Sequence, residues 1–187
     1  MKYIFCSNDI KELNQSFKSN NSVVVYSGSI NDFIQKNIPN VAYVCPFNHL
    51  GKLMDAPCFP DTQSKLTSNL NARKTINLDI GYSTIVPSSY ADIFVISPVL
   101  TSASALPHTK NLFWATVAVN NHVHKYNKYK LQVIKTIIFP DFSKILLNLN
   151  EKTIVDQLSG GLDSDLNFDI FPSDPDVYFT RYGTYRR

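Results

Sequence analysis

The sequence predicts a single α/β domain, a three-layer α/β/α sandwich around a mixed sheet. Short, continuous apolar segments recur along the chain, and segments with helical spacing of apolar residues separate them. Of the 187 residues 44% are hydrophobic, which is enough to bury a core. Continuous apolar strands are typical of a sheet that helices cover on both faces, so these observations together favour the sandwich.

The first half of the chain alternates strands and helices. Apolar, β-branched runs bounded by turn residues predict strands, and apolar residues three or four positions apart predict helices. These rules place strands at 2–7, 22–28 and 41–47, and helices at 10–18, 29–37 and about 64–76.

The second half continues the alternation and sets the domain boundary. Residues 85–99 supply strand material, 109–126 form a long buried helix, 131–140 a final strand and 150–158 a final helix. We therefore expect residues 1–160 to form the domain, and 161–187 to form a C-terminal tail that packs on it or extends from it.

One motif near the end suggests ATP chemistry. LSGGLDS, at 158–164, resembles the phosphate-binding loop of ATP pyrophosphatases, which joins the first strand of a large α/β domain to a helix. Here the motif follows a predicted helix, and only about 20 residues remain after it, too few for an adenine-binding sheet. We therefore expect no ATP binding, and we interpret Gly160-Gly161 as the C-cap of the final helix.

Charge, cysteine content and hydropathy exclude other classes. The net charge is +3 with scattered Lys and Arg, which argues against a nucleic-acid partner. Cys6, Cys45 and Cys58 lack metal-ligand spacing, and the first two lie in apolar runs typical of buried thiols, so a reducing compartment is expected. No apolar run is long enough to span a membrane. These features predict a cytoplasmic protein with no membrane association, no bound metal and no cofactor.

The candidate site is predicted where strands end. Ligands of open α/β sheets bind beyond the carboxyl ends of the strands, where loops expose backbone N–H groups. The loops that qualify are Gly28-Ser29-Ile30, 45–57, 97–109 and 139–144.

These loops and two helices carry motifs in a recognisable order. Gly28-Ser29-Ile30 stands at a GSI position, and CPFNHLG at 45–51, followed by Met54-Asp55, is similar to SPANSFG. The segment from Ser97 to Thr101 is similar to an APTM strand end. The two helices carry T-x-N-x-F-x-A at 109–115 and VDQL at 155–158, which is similar to A-x-Q-M. Over nearly the whole chain this order resembles the macro domain family, which binds ADP-ribose, and in particular its bacterial and phage-like branch.

The resemblance implies a function and a set of site residues. The implied partner is ADP-ribose or an ADP-ribosylated protein, and the implied activity is hydrolysis of ADP-ribose from modified proteins. Asn48, at the distal ribose, and Asp55, which would orient a water or contact the ribose, are the implied catalytic residues. The implied ligand-binding residues are Gly28, Ser29, Ile30, Asn48, Gly51, Pro98, Val99, Leu100, Thr101, Pro140, Asp141, Phe142 and Ser143.

Each of these residues also has a structural interpretation, which stays open at this point. Asn48 is a common turn former, and Gly51 would permit a positive φ. Asp55 would cap a helix that starts near Pro57, and Ser29 would cap the helix that follows it. Phe142 would belong to the core.

The departures from the family pattern favour a second hypothesis. Ala56-Pro57 replaces a Gly-Gly pair, and the family's PGLGTG loop is replaced by Pro140 to Lys144, which has no glycine. Asp141 introduces a carboxylate where diphosphate would approach, and Ser29 stands where many macro domains carry an adenine-reading Asp. The alternative is a degenerate macro fold that acts as a non-catalytic interaction or structural protein.

Overall fold

The computed structural model of the protein describes residues 1–7, 22–36, 38–54, 61–72, 80–87, 93–101, 110–129, 133–146 and 149–162. The helix predicted at 10–18 lies outside these ranges, as does the chain beyond Leu162. The division into a domain and a tail therefore stays a prediction.

Six strands in these ranges form one mixed sheet. Their bounds are β1 Lys2–Ser7, β2 Val23–Ser27, β3 Val41–Val44, β4 Ser83–Pro87, β5 Ile93–Pro98 and β6 Thr136–Phe139. The spatial order is β2-β1-β6-β3-β5-β4. Every neighbouring pair is parallel except β4 and β5, which pair antiparallel.

Four α-helices and a short 3-10 helix are described beside the sheet. The α-helices are α1 Ile30–Ile34, α2 Thr62–Ala72, α3 Asn111–Tyr129 and α4 Glu151–Leu162, and the 3-10 helix, Phe142–Lys144, follows β6. Asn150 begins α4, because its side-chain oxygen accepts a hydrogen bond from Thr153 N at 2.8 Å.

The sheet has a hydrophobic core on each face, which confirms the predicted three-layer α/β/α sandwich. Alternate residues of β1 point to opposite faces: Tyr3 and Phe5 pack in the core that contains the apolar residues of α3 and α4, whereas Ile4 and Cys6 pack with α1. A smaller apolar cluster joins α2 to the residues around β4.

Three predicted strand segments differ from those observed. The strand predicted at 41–47 ends at Val44, and the stretch 85–99, predicted only as strand material, contributes to two antiparallel strands, β4 and β5. The strand predicted at 131–140 is shortened to Thr136–Phe139. Asn127 of α3 explains its late start, because the Asn127 side chain accepts from Ile134 N at 2.7 Å and donates to Ile134 O at 2.8 Å, which ties this segment to the helix.

The interpretation of Gly160-Gly161 as a C-cap is wrong. Helix α4 continues to Leu162, so both glycines lie within it. A Cβ on Gly161 would lie 2.7 Å from Thr116 Cβ and 2.8 Å from the carbonyl oxygen of Phe113. The second glycine therefore permits close packing of α4 on α3.

The cysteines also differ from expectation. Cys6 is a free, buried thiol, as predicted, but Cys45 is disulfide-bonded. The argument that buried thiols indicate a reducing compartment therefore does not hold for Cys45.

Candidate functional site

The four predicted ligand loops leave from the same edge of the sheet. Gly28 to Ile30 follow β2, 45–54 follow β3, 98–101 end β5, and 140–144 follow β6, and all four strands run parallel. The common edge predicted for these loops is thus confirmed for their described parts. Asp55, the second predicted catalytic residue, lies outside the described residues.

This edge contains a topological switch point. The chain passes from β1 to β2 on one side and from β3 to β5 on the other, with β6 between β1 and β3. Crevices at such points are the usual ligand sites of open α/β sheets. A pocket is therefore expected at the ends of β1 and β6.

Asn48 acts as a turn former in the loop after β3. Its side-chain oxygen accepts hydrogen bonds from Leu50 N at 3.0 Å and from Lys52 N at 3.1 Å. Gly51 has φ +78°, in the left-handed region that favours glycine. Both structural interpretations therefore hold, while the proposed contact of Asn48 with a ribose stays a prediction.

The loop after β3 uses its own backbone donors. All eight N–H groups from Phe47 to Met54 donate hydrogen bonds within the protein. The acceptors, in chain order, are Pro98 O, Lys52 O, Thr101 Oγ1, Asn48 Oδ1, Asn48 O, Asn48 Oδ1, Gln63 Oε1 and Pro46 O. A phosphate bound to these groups would have to displace bonds that are already formed.

Gln63 of α2 is a positioning residue that the sequence analysis missed. Its side-chain oxygen accepts from Leu53 N at 2.8 Å, and its amide nitrogen donates to Gly51 O at 3.0 Å. A polar residue in the first turn of a predicted helix gives no signal of such a contact, because its partners lie about ten positions earlier in a loop.

The residues at the end of β5 also have buried side chains and N–H groups that donate within the protein. The side chains of Pro98, Val99 and Leu100 are buried. The Val99 N–H donates to Tyr82 O at 2.9 Å and the Leu100 N–H to Phe47 O at 3.0 Å. Their predicted ligand role would thus have to come from atoms other than these side chains and N–H groups.

Thr101 joins the loops after β3 and β5. Its hydroxyl oxygen accepts from His49 N at 3.1 Å and lies 3.2 Å from His49 Nδ1. The two loops therefore form one connected rim.

The GSI segment is built around a helix start. Ser29 is the N-cap of α1: its hydroxyl accepts from Asn31 N at 3.2 Å, and the Asp32 carboxylate accepts from Ser29 N at 3.0 Å. A Cβ on Gly28 would lie 2.5 Å from both Asp32 Oδ2 and the Tyr26 ring, so a larger residue there would displace these side chains. Ile30 is buried at 1% exposure.

The loop after β6 lines a cavity. Asp141 caps the 3-10 helix, because its Oδ1 accepts from Ser143 N at 3.1 Å and from Ser143 Oγ at 2.6 Å. Phe142 is 3% exposed and belongs to the core, as its structural interpretation had it. The cavity is lined by Phe5, Cys6, Ser7, Pro140, Asp141, Phe142, Ser143, Glu151, Ile154, Val155 and Leu158. It lies at the ends of β1 and β6, at the switch point.

The charge around this cavity is negative. Burial, together with the carboxylates of Asp32 and Asp141, raises the pKa of the Cys6 thiol to about 12. Cys6 is therefore a neutral wall group near neutral pH rather than a reactive thiolate. From the sequence, Cys6 is expected only as a small buried residue, and neither Ser7 nor Glu151 is predicted to line a site.

Searches for other site types and for relatives give negative results. Within the described ranges, no group of three or more His, Cys, Asp or Glu side chains is arranged to hold a metal ion. Among the helices that the structure describes, none has the length and apolar character needed to cross a bilayer. The sequence matches no protein-family model, and a comparison with curated proteins gives no match.

Proposed function

We propose that this protein binds ADP-ribose or a related nucleotide at the carboxyl edge of its sheet. One observation carries the proposal: the cavity between the ends of β1 and β6 lies at the switch point, where the loop at 140–143 meets the ends of parallel strands. The lining combines apolar side chains with a few polar groups, which is the composition of many small-molecule sites.

We expect the diphosphate of the ligand to be bound only weakly. The loop at 47–54 has its N–H groups engaged within the protein, and the described residues that line the cavity include Asp141 and Glu151 but no Lys or Arg. Two like charges about 4 Å apart repel by roughly 1 kcal/mol even in bulk water, and by more near a protein surface. We therefore expect an affinity in the micromolar range or weaker.

Calorimetry with ADP-ribose tests the proposal. Ser143→Trp places a large ring at the exposed mouth of the cavity, and Lys152→Trp adds the same ring at an exposed position of α4 that does not line it. We expect Ser143→Trp to weaken binding by at least about tenfold and Lys152→Trp to leave it unchanged. Absence of binding to the wild type, or equal effects of both variants, would refute the proposal.

A specific observation favours a second function, a non-catalytic interaction or structural role. The complete set of internal hydrogen bonds at 47–54 makes a rigid rim, and Asn48 would have to break two bonds before its oxygen could reach a ribose. Incubation with an ADP-ribosylated protein separates the two roles: release of ADP-ribose would contradict the non-catalytic role, whereas neither release nor binding of ADP-ribose would support it.

A further inference from the structure

The amino edge of the sheet, opposite the predicted ligand loops, brings together segments that are distant in sequence. Lys2 is the first residue of β1 and Lys135 directly precedes β6, and the backbone N–H of Lys2 donates to the carbonyl oxygen of Lys135 at 2.9 Å. Both lysines are exposed. The side chain of Asn127 in α3 donates to Ile134 O and accepts from Ile134 N. The C-terminal end of α3 therefore lies at the same edge as the two lysines.

The end of α3 adds two lysines and an exposed aromatic ring. Lys125, Lys128 and Tyr129 have the i, i+3, i+4 spacing that makes residues neighbours on one helix face. Tyr129 is 66% exposed, and Lys128 Nζ lies 5.4 Å from the centroid of its ring. Val133, at the start of the segment that leads to β6, is also exposed. The amino-edge surface is defined by Lys2, Lys125, Lys128, Tyr129, Val133 and Lys135.

The acidic side chains that the structure describes lie away from this surface. Two line the cavity at the carboxyl edge, one is in the first turn of α1 after β2, one is in α4 between residues of the cavity lining, and one is ion-paired with Lys65 just before α2. In that order they are Asp141 and Glu151, Asp32, Asp156 and Asp61. None of these carboxylates forms a salt bridge with Lys2, Lys128 or Lys135. The fold therefore separates the described charges, with lysines concentrated at the amino edge.

This combination of groups fits a single-stranded nucleic acid. A cluster of like charges attracts a polyanion even when the net charge of the chain is only +3, because the potential depends on local density. Proteins that bind single strands combine cations that contact phosphates with aromatic rings on which bases stack. An anionic bilayer fits less well, because the apolar residues of α3, such as Leu112 and Val119, are buried in the core and are not available for insertion.

We propose that the amino-edge surface binds single-stranded nucleic acid, with the Tyr129 ring stacked on a base and the four lysines in contact with the phosphates. This surface lies at the opposite edge of the sheet from the cavity, so the inference goes beyond the proposed function and does not depend on it. Stacking on an exposed ring accepts any base, and the binding is therefore expected to tolerate different sequences.

Fluorescence anisotropy of a labelled oligothymidylate of about 15 nucleotides, titrated with the full chain, tests the role of the lysines. The logarithm of the affinity for a single strand falls with that of the salt concentration, with a slope of about −0.7 for each phosphate neutralised. Three or four lysines then predict a loss of about 20- to 50-fold between about 50 and 200 mM salt. Lys128→Gln combined with Lys135→Gln should reduce this loss to about 3- to 7-fold. Lys110→Gln combined with Lys152→Gln, at exposed positions near the starts of α3 and α4, removes the same charge and should leave the salt dependence unchanged.

Two variants of Tyr129 test the stacking contact. Tyr129→Ala removes the ring and should weaken binding of the oligothymidylate by at least about fivefold, whereas Tyr129→Phe keeps the ring and should bind within about twofold of the wild type. Because the side chain is mostly exposed, both variants should fold.

Three results would overturn the inference. The first is no binding of the oligothymidylate at about 50 mM salt, including the case in which the protein sediments with vesicles of phosphatidylserine and phosphatidylcholine. The second is an equal effect of the two pairs of lysine substitutions, which would mean that the position of the charges does not matter. The third is equal binding by Tyr129→Ala and Tyr129→Phe, which would exclude a stacked base and leave only a general attraction for anions.

Discussion

The two adjacent glycines of α4 should respond in opposite ways to alanine. Gly161 packs directly on α3, where an added Cβ would lie 2.7 Å from Thr116 Cβ and 2.8 Å from Phe113 O. An added Cβ on Gly160 would meet only ring atoms of Phe113 at 3.4 Å, an ordinary van der Waals contact. The two positions thus share a helix and a substitution but differ in available space.

The magnitudes follow from two opposing effects. Replacing a helical glycine by alanine gains up to about 1 kcal/mol of helix propensity, and less near a helix end. Overpacking a filled site costs about 1–3 kcal/mol, and the upper value applies at Gly161 because a backbone oxygen cannot rotate away. We expect Gly161→Ala to lower the free energy of unfolding by about 2 kcal/mol, and Gly160→Ala to raise it by about 0.5 kcal/mol.

Urea unfolding followed by the fluorescence of Trp114, the single tryptophan, measures both changes. With a typical slope of about 2 kcal/mol per molar urea, Gly161→Ala should move the midpoint down by about 1 M. If Gly161→Ala is as stable as Gly160→Ala, the close approach of α4 to α3 is wrong.

Three further predictions concern groups that the fold holds in place. Because the Cys6 pKa is raised from 9.0 to about 12, its contribution to stability is complete below about pH 9 and is lost as the pH rises towards 12, and Cys6→Ala should flatten this fall in urea midpoint. Gln157 accepts from two N–H groups in the first turn of α3, so Gln157→Met should lower the free energy of unfolding by about 1–3 kcal/mol in urea titrations. Gln63→Ala removes a donor and an acceptor from the rim, and should speed amide hydrogen exchange at 47–54 while leaving β1 protected.

Matched variants distinguish these specific effects from a general loss of stability. Gln157→Glu keeps an acceptor for the first turn of α3 and should lose less stability than Gln157→Met; equal losses would contradict the capping role. Gln63→Glu keeps the acceptor for Leu53 N, so faster exchange at Leu53 in this variant would count against the assigned contact. An unchanged pH profile in Cys6→Ala would mean that another group, such as Tyr43, whose pKa burial raises to about 12, dominates the alkaline range.

The fold class was predictable because it depends on patterns that survive without tertiary detail. The apolar runs at 2–7 and 22–28 contain the observed strands β1 and β2, and the helical spacing after residue 109 gave α3. Pattern alone could not divide 85–99 into antiparallel partners, because strand direction depends on which neighbour completes the sheet. It also could not place Gly161 inside a helix, since the signal for a C-cap and the signal for close helix packing are the same residue type.

The candidate site was less predictable because binding depends on which polar groups remain available, and residue type does not specify this. Asn48 matches its motif position, yet its side-chain oxygen is engaged by Leu50 and Lys52 in the same loop. The remaining donors of that loop are matched by acceptors distant in sequence, among them Gln63 and Thr101. Among the described residues of the predicted ligand set, the buried polar side-chain atom without a partner is Asp141 Oδ2. It belongs to the residue that departs from the motif and not to one that matches it, so a match in residue type does not show which polar groups are unpaired.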